Sequence, residues 1–301
     1  MAGKAGRTGG REKAVLAHFM AKPSEKLAAK AAIAALLQDA ANDATSGRCI
    51  PAGAKCGGKI VAKSDFTLCG IVEANAAFGH RGVRAKWNFR EGQAVKKGRA
   101  ICEVSGNARS ILACERTALN FLSLLSGIAT KARRAADKHG RRRIAATRKT
   151  LPLLAHSEKR AVMLGGCLTH RLSLSDGILV KDNHIAAIMA ERKVTPARAV
   201  EIACGAFSFG QFTEVEVSSV ETAVAAALSG AGAILADNVS PAKLWRIAKA
   251  ARKASPGIII EASGGITLEN AGKYLRAGAD FCSTSSLTME IEPADLSLEL
   301  G

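Results

Sequence analysis

The spacing of apolar residues changes near Arg143, and this change predicts two kinds of structure along the chain. Before it, the pattern predicts an Ala- and Leu-rich helix over 25–37 and a long amphipathic helix over 112–136. Four short β runs are predicted between these helices, at 59–63, 66–71, 84–89 and 99–104. The first two runs are expected to form a hairpin around Ser64-Asp65, and residues 42–47 a loop. We therefore expect an α+β unit with an antiparallel sheet.

After Arg143, six short apolar runs alternate with helical stretches. The runs lie at 144–147, 177–180, 213–217, 233–236, 258–262 and 280–283. The helical stretches include 158–163, 196–204, 220–228, 242–254 and 268–277. Strand–helix alternation of this kind predicts a parallel sheet or a β/α barrel.

Polar or charged residues follow or end all six runs. They lie at 147–150, 181–184, 214–216, 237–238, 263–265 and 283–286. In parallel β/α barrels, the active site is built from the carboxyl ends of the strands. The six clusters are therefore expected to converge on one site.

The predicted site combines positive charge with two carboxylates. Its cations are Arg148, Lys149, His170, Arg171 and Lys181, with Arg116 as a further candidate from the long helix. Guanidinium and ammonium groups in this number suit a small polyanion that carries carboxylates or phosphates. The acidic residues, Glu216 and Asp237, suggest a Mg²⁺ ion that shares phosphate oxygens with a substrate.

A glycine pair in the sequence Ser263-Gly264-Gly265 precedes a helix and suits a phosphate group. The sequence has no GxGxxG after a strand and no Walker motif. These features together predict phosphoryl or glycosyl transfer between a carboxylate-bearing substrate and a magnesium–phosphate substrate.

Composition narrows the classes of partner. The 301-residue chain has a net charge of +17 and 48% hydrophobic residues, which suits a globular protein with anionic ligands. Aromatic residues make up 4%, so a nucleic-acid partner is not expected. Eight scattered cysteines without a CxxC pair indicate a reducing, cytoplasmic location. No membrane span or signal peptide is expected, and residues 1–24 are interpreted as a flexible basic tail.

Short motifs in a definite order and at definite spacings run from about residue 30 to residue 290. They lie at 42–45, 115–122, 125–130, 147–150, 158–159, 165–166, 170–171, 181–184, 214–217, 236–238 and 261–266. This set resembles the quinolinate phosphoribosyltransferases, which are type II phosphoribosyltransferases. The resemblance implies an α/β protein with an N-terminal α/β sandwich over 25–115 and a six-stranded β/α barrel over 116–286. It also implies that residues 287–301 pack back on the sandwich, and that the protein is a homodimer or a dimer-based oligomer with shared active sites.

The implied reaction joins quinolinate to 5-phosphoribosyl-1-pyrophosphate (PRPP) with Mg²⁺, and gives nicotinate mononucleotide, pyrophosphate and CO₂ for NAD biosynthesis. By resemblance, the quinolinate carboxylates are bound by Arg148, His170, Arg171, Lys181 and the partner-reaching Arg116. The implied catalytic residues are Lys149, Glu216 and Asp237, and the last two contact the Mg²⁺–donor region. The implied 5′-phosphate ligands are Ser263, Gly264, Gly265 and Ser285.

Two other hypotheses stay open. One is a related phosphoribosyltransferase or pyrophosphorylase with another acceptor. The chain differs from the family pattern at Ala155, Cys167, Ser285 and Met289, which leaves room for it. The other is a non-catalytic basic anion-binding protein, which rests on net charge alone.

Overall fold

The computed structural model describes residues 17–207 and 211–301, so most of the predicted N-terminal tail lies outside the described residues. Helices in chain order are α1 Glu25–Asp39, α2 Ala44–Cys49, α3 Ile71–His80, α4 Ala108–His139, α5 Ala155–Gly165, α6 Asp182–Arg192, α7 Pro196–Gly205, α8 Val220–Leu228, α9 Pro241–Ala254, α10 Ala271–Arg276 and α11 Ser286–Met289. Strands are β1 Lys55–Ala62, β2 Phe66–Thr67, β3 Arg84–Trp87, β4 Ala94–Val95, β5 Ala100–Asn107, β6 Ile144–Ala146, β7 Ile178–Val180, β8 Thr213–Val217, β9 Ala233–Asp237, β10 Ile259–Ser263, β11 Phe281–Thr284 and β12 Leu296–Leu300.

The first compact unit, which we call the antiparallel unit, comprises residues 22–137, 149–167 and 287–301. Its main sheet has the strand order β12-β1-β5-β3, and β2 pairs separately with β4. All these pairings are antiparallel. The core of the unit is apolar and includes the fully buried side chains of Ile60, Leu68 and Ile111.

The structure corrects three local predictions in this unit. The expected hairpin around Ser64-Asp65 is wrong, because β1 pairs with β5 and β12 while β2 pairs with β4. Helix α3 begins at Ile71, after Gly70 with a left-handed φ of 108°, where we expected a strand to end. Helix α2 begins within the predicted loop over 42–47, and its first turn is capped by Asp43, which accepts the Ser46 N–H at 2.9 Å.

The second compact unit, the parallel unit, comprises in its described part residues 17–21, 138–148, 168–207 and 211–286. Its six strands are all parallel, in the order β6-β11-β10-β9-β8-β7. Beyond β6, parallel bridges join Ala145 to Leu168 and Met20 to His170. An antiparallel sheet followed by six parallel strands is the predicted α/β fold class. Helix α6 was not predicted, because its first residues were interpreted as the end of a strand.

The residues just before α1 differ from the expectation of a flexible tail up to residue 24. A short 3₁₀ helix spans Ala17–Phe19, and Phe19 is only 3% exposed. Its ring lies 4.7 Å from that of Phe281 in a cluster with Ile259. Apolar burial therefore fixes this segment within the parallel unit.

Helix α4 is long and apolar enough to cross a membrane by length and composition, with a mean hydropathy of 1.3 over its apolar window. Of that window, 61% is buried inside the protein, as in the core helix of a water-soluble protein. Among the described residues no other helix passes the same criterion.

Candidate active site

The carboxyl ends of the six parallel strands lie along one edge of their sheet. Val180 pairs with Val215, Ala236 with Ala262, and Asp237 with Ser263. At the other end of the strand order, Thr284 pairs with Ala146, two residues before Arg148. The polar clusters that follow the strands thus share one edge, as the sequence predicted.

Two predicted carboxylates and one predicted cation lie together at this edge. Lys181 Nζ is 3.6 Å from Glu216 Oε2. Burial raises the pKa of Glu216, Lys181 lowers it, and Asp182 and Asp237 raise it, so that the net pKa is above the usual value. Three acidic side chains close to one ammonium group leave local negative charge, which suits a divalent cation with oxygen ligands.

Arg148 and Arg171 bring positive charge close together in the same unit. Arg171 is 9% exposed, whereas Arg148 is exposed. Burial and the neighbouring Arg148 cation lower the pKa of Arg171, and this outweighs the effects of Glu214 and Asp176. Two guanidinium groups that repel each other are stabilised by an anion that bridges them.

The turn after β10 has a backbone that suits glycine. Gly264 and Gly265 have left-handed φ values of 79° and 60°. A Cβ at Gly264 would lie 2.4 Å from Asn238 Oδ1, whereas a Cβ at Gly265 would meet no atom within 4 Å. Gly265 is exposed, so the turn can admit a ligand against its backbone amides.

Hydroxyl groups from β10 and β11 lie beside this turn. Ser283 Oγ donates a hydrogen bond to Ser263 Oγ at 3.0 Å, and Thr284 Oγ1 donates to the Ile266 carbonyl at 2.7 Å. The predicted phosphate ligand Ser285 is half-buried and directly follows β11. Together these residues give the edge a region rich in small polar groups.

His170 does not lie where the sequence reasoning expected it. Its side chain is buried, with Nε2 3.0 Å from Glu261 Oε2 and 3.3 Å from Glu214 Oε2. Its Nδ1 accepts the backbone N–H of Arg171 at 2.8 Å. Protein groups thus engage both ring nitrogens, which differs from the expected contact with a substrate carboxylate.

The sequence reasoning gave Glu261 no role and left that of Glu214 undecided. Glu261 is fully buried and Glu214 is 2% exposed. Burial and the neighbouring Glu261 carboxylate raise the pKa of Glu214 to about 8, although His170 acts in the opposite direction. A carboxylate within an apolar strand is buried and needs a buried partner. The positions of Glu214 and Glu261 within apolar runs were therefore the signal in the sequence that could have identified them.

Two predicted site residues, Arg116 and Lys149, belong to the antiparallel unit. Arg116 is an exposed residue of α4, a helix that otherwise buries much of its surface. Lys149 is exposed, and its backbone carbonyl accepts a hydrogen bond from Thr288 Oγ1 at 2.7 Å.

Glu158 supports the loop that follows Lys149. Its Oε1 accepts the Leu151 N–H at 3.3 Å, and burial raises its pKa to about 7. The folded state therefore binds more protons than the unfolded state between pH 4.5, the usual pKa of a glutamate, and about pH 7. Stability that is present below this range is lost as the pH rises through it.

We expect Glu158→Gln to reduce this loss. Relative to the variant, the wild type should lose about 3 kcal/mol of unfolding free energy between pH 5 and pH 8. Urea denaturation of both proteins at the two pH values measures the difference. Equal losses in the two proteins would contradict the assignment to Glu158.

A parallel α/β unit with cations, paired acids and a glycine turn at its carboxyl edge defines a class of enzymes that bind phosphate- and carboxylate-bearing substrates. Comparison with known proteins identifies the family. Residues 43–126 match the quinolinate phosphoribosyl transferase N-terminal domain, and residues 128–299 match the C-terminal domain. The chain belongs to the quinolinate phosphoribosyl transferase family.

Curated relatives agree with this assignment. The chain is 38% identical over 266 residues to the probable nicotinate-nucleotide pyrophosphorylase (carboxylating) of Methanocaldococcus jannaschii, covering 86% of this chain and 91% of that protein. It is 36% identical over 245 residues to the human nicotinate-nucleotide pyrophosphorylase (carboxylating), covering 79% and 80%.

Solved structures show the same fold. The nicotinate-nucleotide pyrophosphorylase of Francisella tularensis superposes with a TM-score of 0.81 at 28% identity, covering 94% of this chain and all of that one. NadC from Streptococcus pyogenes gives a TM-score of 0.79 at 33% identity, covering 90% and 95%.

Proposed function

We propose that this protein transfers the phosphoribosyl group of PRPP to quinolinate and releases pyrophosphate and CO₂, giving nicotinate mononucleotide. The observation that carries the proposal is one sheet edge with two neighbouring guanidinium groups, a lysine beside paired acids, and an open glycine turn. Its family membership fits this chemistry.

Quinolinate carries two adjacent carboxylates on a pyridine ring, and the paired cations suit it. Arg148 and Arg171 each offer a planar pair of N–H donors, and Lys181 adds a point charge. Since these cations repel one another, a dianion lowers the energy of the site. His170 contributes through its contact with the Arg171 backbone.

PRPP is proposed to bind between the paired acids and the glycine turn. The turn at Gly264 and Gly265 receives the 5′-phosphate, with Ser263 and Ser285 as neighbouring hydroxyl donors. Glu216 and Asp237 would hold a Mg²⁺ ion through PRPP and water. This fits the raised pKa of Glu216, which two neighbouring acids help to cause. When bound, the ion supplies positive charge that stabilises pyrophosphate as a leaving group.

The reaction then has two bond-breaking stages. The pyridine nitrogen forms a bond to the ribose C1, and the C1–O bond breaks with its electron pair leaving on pyrophosphate. We assign to Lys149 the role of stabilising the negative charge that develops on the departing pyrophosphate. The ring, now cationic, accepts the electron pair of the broken bond to the 2-carboxylate, so CO₂ leaves. The ring carbon finally takes a proton.

The proposed enzyme acts in the cytoplasm as a homodimer. Arg116 is exposed on α4, and in a dimer it can contact quinolinate in the partner subunit's acceptor pocket, which we define as the site formed by Arg148, Arg171 and Lys181.

We expect purified protein with quinolinate, PRPP and Mg²⁺ to form nicotinate mononucleotide, detected by mass. Product should disappear when the metal is removed with a chelator and return when Mg²⁺ is restored. A parallel panel of pyridine acceptors, followed by pyrophosphate release, tests a transferase with another acceptor. Turnover of a different acceptor without turnover of quinolinate would reject the proposal.

A further inference from the structure

A buried network lies beneath the candidate acceptor pocket in the parallel unit. It consists of His170, Glu214 and Glu261, and their ligand-type atoms all lie within 4.8 Å of one another. The two glutamates come from different strands, β8 and β10. None of the three side chains is exposed enough to be a surface ion pair, since their side chains are 1–9% accessible.

The hydrogen bonds fix how the histidine ring is used. The Arg171 N–H points at Nδ1 at 2.8 Å. On the other side of the ring, Nε2 faces both carboxylates and donates to Glu261 Oε2 at 3.0 Å. A metal ion on Nε2 would need the ring proton on Nδ1, where the amide already points. The geometry thus favours a hydrogen-bonded network over a metal site.

The backbone at His170 also needs support. Its φ is 52°, in the left-handed region, which costs a non-glycine residue about 1 kcal/mol or more. Its N–H donates to the Phe19 carbonyl at 2.8 Å, and its ring lies edge-on to Phe19 with centroids 5.2 Å apart. These contacts hold both the backbone and the ring.

We propose that Glu214 and Glu261 are positioning residues for the acceptor pocket, which act by holding the His170 ring so that its Nδ1 fixes the Arg171 backbone. Neither glutamate touches the substrate. Glu214 and Glu261, which lie on different strands, both contact the His170 ring, and this ring contacts the backbone amide of Arg171. The inference rests on the proposed function, in which Arg171 binds a quinolinate carboxylate.

The test compares the Michaelis constants for the two substrates. Glu261→Ala should raise the KM for quinolinate at least tenfold and leave the KM for PRPP within twofold, because the acids and the glycine turn of the donor site remain. His170→Ala should have an effect of similar size. Because both residues act through one amide, the double variant should be no more than about twofold worse than the poorer single variant.

Two further variants separate positioning from general destabilisation. Glu261→Gln keeps an oxygen that can accept the Nε2 proton, and it should restore the KM for quinolinate to within threefold of the wild type. The matched control is Glu73→Gln, a fully buried carboxylate paired with Arg160 in the antiparallel unit. It should lower the melting temperature and leave both KM values unchanged.

Nitrogen-15 NMR of histidine-labelled protein gives a readout that does not depend on activity or on folding of a variant. At neutral pH, the His170 signal should show a proton on Nε2, because burial, which lowers the pKa of this histidine, is outweighed by the Glu261 and Glu214 carboxylates, which raise the pKa to about 10. A neutral ring without a proton on Nε2 would overturn the proposal. So would a folded Glu261→Ala protein whose KM for quinolinate is within twofold of the wild type, or single-variant effects that multiply in the double variant.

Failure of the proposed function looks different. Wild-type protein would then form no nicotinate mononucleotide, whereas the NMR signal of His170 would still show whether the network exists.

Discussion

Replacing Arg171 with alanine should reduce the catalytic efficiency toward quinolinate by about 100- to 1000-fold, equivalent to about 3–4 kcal/mol of binding free energy. Arg171 as a whole is 9% exposed and lies close to Arg148, so its bonds to a carboxylate form where little water competes. The KM for quinolinate should rise far more than the KM for PRPP. Steady-state assays that vary each substrate in turn measure both values.

Three matched variants sharpen this test. Arg171→Lys keeps the charge and loses the planar pair of donors, so its activity should fall between those of the wild type and Arg171→Ala. Lys181→Ala should also remove most activity, because the same substrate is proposed to contact it. Arg198→Ala removes an exposed arginine that pairs with Glu201, and it should leave activity unchanged. Full activity of a well-folded Arg171→Ala protein would reject the assignment of this residue.

Gly264→Ala should give the second large effect. The added Cβ would lie 2.4 Å from Asn238 Oδ1 and 2.6 Å from the Asn238 backbone nitrogen, with φ at 79°. The neighbouring turn must therefore shift, and we expect a loss of about 2–4 kcal/mol in unfolding free energy. The KM for PRPP should rise at least tenfold, because the displaced turn is proposed to bind its 5′-phosphate. Chemical denaturation and substrate titration measure the two effects.

Gly230→Ala is the control for this prediction. Gly230 has a similar φ of 85°, and a Cβ there would meet no atom within 4 Å. The control therefore introduces the same backbone strain without the overlap, and it should cost about 1–2 kcal/mol of stability with both KM values unchanged. Equal effects of the two substitutions would show that strain alone, and not the contact with Asn238, limits Gly264.

The strands and helices that alternate in the second half of the chain were predictable, because a short continuous segment determines each of them. Runs such as 233–236 and helices such as α8 and α9 carry their own periodicity, and the polar residues after each run mark the strand ends. The antiparallel unit was harder to predict. The partner of β1 is set by tertiary packing, so the local turn at Ser64-Asp65 gave the wrong pairing.

The candidate site shows the same limit. The sequence located Lys181, Glu216 and Asp237 at one edge, because strand ends alone decide that. It could not show that His170 turns inward, because that direction depends on a left-handed backbone and on two glutamates from other strands. Patterns along the chain locate groups at an edge, whereas side-chain direction depends on contacts between distant segments.

The pairing of β1 with β12 also has a consequence for how the chain acquires its structure during synthesis. Gly58 pairs with Leu300, and Ala62 with Leu296, so β1 gains one of its two neighbours only when residues 296–300 have been made. The nascent antiparallel unit therefore exposes an open strand edge while residues 138–286 are translated. Contacts this distant in sequence slow folding, and exposed edges favour association between unfinished chains. The growing chain is therefore prone to aggregate during translation until β12 has been made and pairs with β1.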